Sequence, residues 1–310
     1  MSQVIPPFLE VGDTIGVVAT ARWIESEVVS NTRRFFESAG LNVKFSEHLT
    51  RRNFQLAGSH TERAQELQKF LDDSDLKAII IARGGYGTVH LLDQLDFTTF
   101  HKTPKWICGY SDVTALHAML QSMGIASIHS TMPVSFKDAT HEALESLLNC
   151  LKGNQLTFSS HKTTAPAKDS YPIEGLLYGG NLSVWCSILG SQFMPNGPDG
   201  ILFLEDVDEM LYHIDRMMTQ LRRSGALKNI KAICLGGFTQ MKDNTKEFGF
   251  TNDNPWGHSA EDCIHQLGKT LGIPVFHNFP AGHLSDNQAF YLGRRCRVYN
   301  QGNVNRIEFI

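Results

Sequence analysis

Nowhere does this 310-residue sequence carry the roughly 18 to 20 consecutive apolar residues needed to span a bilayer. The amino terminus, Met1 to Pro7, lacks the basic flank and apolar core of a signal peptide, so a cytoplasmic protein with no membrane partner is expected. Cationic excess is lacking too. Lysine and arginine number 28 against 32 acids, a net charge of −4, which leaves no basic footprint for nucleic acid. The six cysteines (108, 150, 186, 234, 263 and 296) show no C-x-x-C spacing, and several lie in apolar runs. They read as reduced core residues rather than a disulfide frame or a zinc site. Internal repeats and low-complexity tracts are also absent. These gaps leave a globular protein acting on a small molecule.

With 42% hydrophobic residues the chain can bury a sizeable core, in two domains or one large one. Its first half alternates strand and helix. Asp13 to Ala19 is a short apolar strand, and the helical region after it stops near Gly40. Val43 to Phe45 makes a second strand. Ser59-His60-Thr61-Glu62 fits a capping box, and Ala64, Leu67, Phe70 and Leu71 give the next helix one apolar face. Lys77 to Ala82 is almost continuously apolar, as a parallel strand covered on both faces must be. A third helix is expected over about 88 to 95, a strand near 106 to 109, a helix behind Ser111 and a strand at 125 to 129. This alternation predicts a doubly wound parallel sheet for an amino-terminal domain, residues 1–155. A polar, aperiodic linker is expected over 156–172, then a smaller α/β domain over 173–310. The second domain's strands read at 201 to 204 and 231 to 235, with one before them ending at Gly179-Gly180. Its helices read from Asn181, over about 208 to 224, where Gly225 is the stop, and from about 258.

Two strand ends in the first half hold the informative loops. Arg83-Gly84-Gly85-Tyr86-Gly87 brings bare amides close to a ligand, which suits an oxyanion or phosphate cradle and equally fits a plain tight turn. Its spacing matches neither G-x-G-x-x-G nor the P-loop, so no nucleotide cofactor is indicated. Ile107 to Thr114 places Ser111 where a strand turns into a helix, a position from which a hydroxyl can attack; Ser111 or Asp112 equally reads as a helix N-cap. Glu205-Asp206-Val207-Asp208-Glu209 follows the strand at 201 to 204. It has no metal-site spacing, and one of its carboxylates could orient a histidine. His283, in a loop with Pro280 and Gly282, and His129, at a strand end, compete for the role of base that a serine nucleophile needs.

Several motifs run in an order that resembles the LD-carboxypeptidase family: the glycine loop at 83–87, Pro104-Lys105 leading to Gly109-Tyr110-Ser111-Asp112, Gly179-Gly180-Asn181-Leu182-Ser183, Leu202 to Asp206 with Tyr212, Asp215 and Arg216, and Gly282-His283. The resemblance spans nearly the whole chain. It implies a serine peptidase with Ser111 as nucleophile, Glu205 and His283 completing a triad, and the backbone amides of Gly85 and Asp112 as oxyanion hole. It further implies a site at the domain interface, a homodimer and no metal or organic cofactor. The implied reaction is release of the terminal D-alanine from a murein tetrapeptide in peptidoglycan recycling.

Two loops depart from the family pattern. Ala19-Thr20-Ala21-Arg22-Trp23 replaces a Ser-Pro turn, and His129-Ser130-Thr131-Met132-Pro133 stands where the family has H-G-P-M. Both are expected to border the substrate. Residues 243–258, with Phe248, Phe250 and Trp256, read as a specificity loop or an ordinary surface excursion. Two other functions stay open: an immunity-type peptidase acting on a peptidyl or aminoacyl nucleotide, and a non-catalytic muropeptide-binding protein.

Overall fold

The computed structural model describes residues 3–154, 157–161, 171–195, 197 and 199–310. The chain divides into two units, residues 1–156 with 285–294 and residues 157–284 with 295–310. In the first, β1 (Thr14–Val18), α1 (Ser26–Ser38), β2 (Asn42–Phe45), α2 (His60–Asp72), β3 (Leu76–Ile81), α3 (Thr98–Lys102), β4 (Trp106–Gly109), α4 (Thr114–Ser122), β5 (Ser127–His129) and α5 (His141–Leu151) follow one another. The second contains β6 (Thr157–Ser159), β7 (Ile173–Asn181), α6 (Leu182–Ser187), β8 (Gly200–Val207), α7 (Leu211–Arg223), β9 (Ile230–Thr239), α8 (Ala260–Leu271) and β10 (Val275–Phe276). β11 (Phe290–Leu292) belongs to the first unit, and β12 (Arg295–Gln301) and β13 (Val304–Phe309) to the second.

The first sheet has the order β11-β5-β4-β3-β1-β2, parallel throughout except for β11. Loops after β1, β3 and β4 therefore emerge side by side at one edge, where ligands of such sheets bind. Ile79, Ile80 and Ile81 of β3 are fully buried, as a run covered on both faces requires. α2 opens with the expected capping box, Ser59 Oγ accepting from Glu62 N at 3.2 Å and Glu62 Oε2 from Ser59 N at 2.8 Å. Its other end is closed by Lys105, a motif residue with a structural role. Buried in the core, its ammonium donates to the carbonyls of Leu71 (2.8 Å) and Asp73 (2.7 Å) at the end of α2.

The second sheet is mixed, β10-β9-β8-β7-β12-β13-β6, with β7 to β10 parallel and the remaining pairs antiparallel. Along β12, buried Cys296, Val298 and Asn300 alternate with less buried neighbours, the pattern of a strand with one covered face. All six cysteines are buried free thiols. Among the described residues no helix is long and apolar enough to cross a membrane.

Several expectations need correction. Residues 88 to 95 form two short 3-10 turns, Thr88–His90 and Leu92–Gln94, because Thr88 is tethered by its amide to Asp112 and the chain closes tightly there. Thr157–Ser159, inside the expected linker, is a strand paired with β13. Residues 156 and 162–170 of that linker lie outside the described residues. α7 starts at Leu211 rather than near 208, since Asp208 adopts φ +63°. Residues 285–294, read as part of the carboxyl-terminal domain, add an antiparallel strand to the first sheet.

Candidate active site

β4 ends at Gly109, and the chain reverses into α4 through Ser111, whose φ of +63° is left-handed. A non-glycine residue there costs about 1–2 kcal/mol. Strain of this kind persists where the surrounding structure enforces it, and strand-to-helix turns that present a nucleophile are one such place. His117 of α4 helps enforce it. Its ring lies between Ser127 Oγ (2.8 Å from Nδ1) and the Gly109 carbonyl (2.9 Å from Nε2). A carbonyl only accepts, so Nε2 carries the proton, and burial pushes the ring's pKa down to about 4, keeping it neutral.

Asp112 does not act as the helix cap. Its buried carboxylate accepts from the amides of Thr88 (2.9 Å) and Gly87 (3.3 Å), which ties the glycine loop to the serine turn. Within that loop Gly85 has φ +119°, and a Cβ on Gly84 would lie 3.5 Å from Ser111 Oγ. Glycine is thus required by conformation at 85, while at 84 it brings backbone close to the serine.

Within the second unit a carboxylate meets an imidazole. Glu205, fully buried on β8, holds His283 through Oε2, at 2.7 Å from Nδ1 and 3.2 Å from its backbone N. Because a carboxylate only accepts, Nδ1 bears the proton and Nε2 is the ring's basic nitrogen. Burial lowers the affinity of His283 for a second proton, but the hydrogen bond and charge of Glu205 outweigh it, and the pKa ends above the ordinary value. Gly282 makes the approach possible. A Cβ there would fall 2.6 Å from Glu205 Oε2.

A bulge aims this pair. Leu204 faces Leu235 but Asp206 faces Phe238, so β9 carries an extra residue opposite Glu205, at Gly236-Gly237. A Cβ on Gly236 would meet the Ala281 carbonyl at 2.4 Å, and Gly237 N donates to that carbonyl at 2.9 Å. The sequence reading missed Gly236-Gly237; paired glycines inside an apolar strand were the available signal.

The four acids after Leu204 have separate partners. Asp206 accepts from Asn181 Nδ2 (2.8 Å) and the Ser183 amide (2.9 Å), Asp208 pairs with Lys242 and Glu209 with His213. Burial, followed by the neighbouring Glu205 charge, raises Asp206 to about 7. Among the described residues no cluster of three or more His, Cys, Asp or Glu could hold a metal ion. His129, the rival base, is fully buried against Phe290, with Nε2 3.2 Å from Asn287 Oδ1. Trp256 lines a depression of about 900 Å³ with Asp215 and Met218 of α7 and Cys263 and Gln266 of α8.

A strained serine after a parallel strand, a glycine loop tied beside it and a glutamate-oriented histidine are the components from which serine hydrolases are built. Residues 15–130 match the family model for the LD-carboxypeptidase N-terminal domain, and residues 174–298 the model for its C-terminal domain. The probable murein peptide carboxypeptidase of Bacillus subtilis is 31% identical over 94% of this chain and 91% of its own. The crystal structure of muramoyltetrapeptide carboxypeptidase from Oxalobacter formigenes superposes with a TM-score of 0.82 at 27% identity, covering 95% of this chain and 98% of that one. The microcin C7 self immunity protein MccF, in complex with aspartyl sulfamoyl adenosine, shares the fold at a TM-score of 0.81 and 22% identity, with 99% of each chain covered. The chain belongs to the LD-carboxypeptidase family of serine peptidases.

Proposed function

We propose that this protein is a serine LD-carboxypeptidase that releases the terminal D-alanine of a murein tetrapeptide, serving peptidoglycan recycling in the cytoplasm as a homodimer. The observation that carries this reading is the buried Glu205 holding Nδ1 of His283 at 2.7 Å, in a chain of this family. His283 Nε2 takes the Ser111 proton while Oγ attacks the carbonyl carbon before D-alanine. The amides of Gly85 and Asp112 receive the developing oxyanion, donors typically worth about 3–4 kcal/mol each. Collapse breaks the C–N bond, and His283 returns the proton to the leaving amine. Water, deprotonated by His283, then hydrolyses the acyl-Ser111 ester.

The test is mass spectrometry of L-Ala-γ-D-Glu-meso-Dap-D-Ala incubated with the protein. Loss of one alanine, abolished in Ser111→Ala and unaffected by chelator, is expected. A folded wild type that leaves the peptide intact would overturn the reading, and aminoacyl sulfamoyl adenosine would be the next ligand offered. The exposure of Trp256, 39%, is what that second reading has in its favour. Ser111 weighs against a purely binding role, since a binding surface has no need of a strained hydroxyl-bearing residue.

A further inference from the structure

A carboxypeptidase must recognise a free chain end. In a peptide the terminal carboxylate carbon lies three bonds from the carbonyl carbon under attack, ~3–4 Å away, so the group that reads it belongs beside the oxyanion donors. In the first unit the loop after β1 emerges next to the glycine loop after β3, which in turn neighbours the serine turn after β4. That first loop carries Arg22, and the arginine lies across Gly85. A Cβ on Gly85 would meet Arg22 Nε at 2.6 Å, Cδ at 2.7 Å and Cγ at 2.9 Å.

Arg22 Nε is buried without a hydrogen-bond partner, and among the described residues the guanidinium forms no ion pair. The next cation, half-buried Arg83, donates to the Trp23 carbonyl at 3.1 Å and likewise lacks a carboxylate. Its pKa is lowered by burial and then by the charge of Arg22, while the nearby acid, Glu25, is engaged by Arg52 at 2.9 Å and 3.2 Å. Among the described residues neither of these neighbouring guanidinium groups forms an ion pair, and one of them lies against Gly85 of the glycine loop, so the place suits an anion. Arginine's planar fork matches a carboxylate in two-point geometry.

We propose that Arg22 binds the terminal α-carboxylate of the leaving D-residue, with Arg83 holding the local potential positive. This deepens the proposed function and rests on Ser111 being the nucleophile. The ligand class is a peptide ending in a free carboxylate. The interaction makes the loop after β1 the element that separates exopeptidase from endopeptidase action.

The experiment compares kcat/KM for the tetrapeptide acid and for its carboxyl-terminal carboxamide, in wild type, Arg22→Gln and Arg22→Lys, with thermal unfolding of each. Wild type should favour the acid by about 10- to 100-fold, the range for a charged hydrogen-bonded pair. Arg22→Gln should collapse that preference to about one. Arg22→Lys, keeping the charge without the fork, should fall between and serves if the glutamine variant folds poorly. An acid preference retained in both variants overturns the proposal. Wild type that releases no D-alanine from the acid overturns the function reading instead, and Ser111→Ala reports on that reading independently.

Discussion

His283 shows two opposed effects on one side chain. Burial alone would discharge it, while the Glu205 carboxylate 2.7 Å away favours the imidazolium, and the carboxylate prevails. A base must be neutral to accept a proton, so the acid limb of kcat/KM should lie above the ordinary histidine pKa. Glu205→Gln removes the charge that raises it. The limb should then move to lower pH, and kcat should fall by on the order of 10³–10⁴, the scale known for disabling the orienting acid of a serine triad. A pH-rate profile with an unshifted limb would remove Glu205 from the mechanism. Choosing between His283 and His129 from sequence rested on motif order, since both read as loop or strand-end histidines. Structure separates them by surroundings. His129 sits on an aromatic ring inside the first sheet, whereas His283 has a carboxylate partner 78 residues away.

Among the elements, α2 reaches the glycine loop through one buried side chain. Its Arg63 is fully buried and donates to the carbonyls of Thr20, Gly58 (3.3 Å) and Gly87 (3.2 Å), joining the loop after β1 to the loop after β3. Thr88 Oγ1 adds a bond to Thr20 Oγ1 at 2.8 Å, and Asp112 binds the amides of Gly87 and Thr88 from the opposite side. Replacing Arg63 by Met leaves three carbonyls without their donor and the Asp112 charge without a nearby cation. The expected cost is about 3–5 kcal/mol in urea unfolding, as for a buried charge network broken on one side. Turnover should suffer beyond that. If the loop presents the Gly85 amide, kcat should drop while KM changes little; normal kcat in the folded fraction would confine Arg63 to stability. None of this was legible in the sequence, where Arg63 looks like one more polar residue of an amphipathic helix. Its partners lie up to 43 residues away in sequence.

For the molecule as a whole, the decisive feature is that the first unit is not continuous in sequence. β11 returns from residue 290 to pair with β5, and Phe290, Tyr291 and Leu292 are fully buried. Tyr291 also donates its hydroxyl to the Cys150 carbonyl at 2.8 Å. A fragment ending at residue 156 would expose the edge of β5 and the apolar surface that β11 covers. Such a fragment should bind an apolar dye and aggregate. The same fragment with residues 285–294 attached through a flexible linker should show sharper cooperative unfolding, measured by circular dichroism. Equal behaviour of the two would show that β11 contributes little.

The sequence by itself determined the parallel core and singled out the candidate groups for the site. Continuous apolar runs such as Ile79 to Ile81 fit strands covered on both faces, as β3 is, and a glycine loop beside a strand-to-helix serine limits the chemistry such a sheet edge can host. The six core thiols follow the same logic, because their place in apolar runs marks burial, whereas the capping role of Lys105, whose acceptors lie 32 and 34 residues away, appears only in the fold. Tertiary structure alone decided which distant groups meet: β11 against β5, Gly282 making room for Glu205, the Gly236-Gly237 bulge, and Arg22 over Gly85. These depend on register, on positive φ and on close backbone approach, which are properties of pairs of segments. A pattern read along one segment carries the periodicity of that segment, and nothing in it records which residue will face it across the sheet.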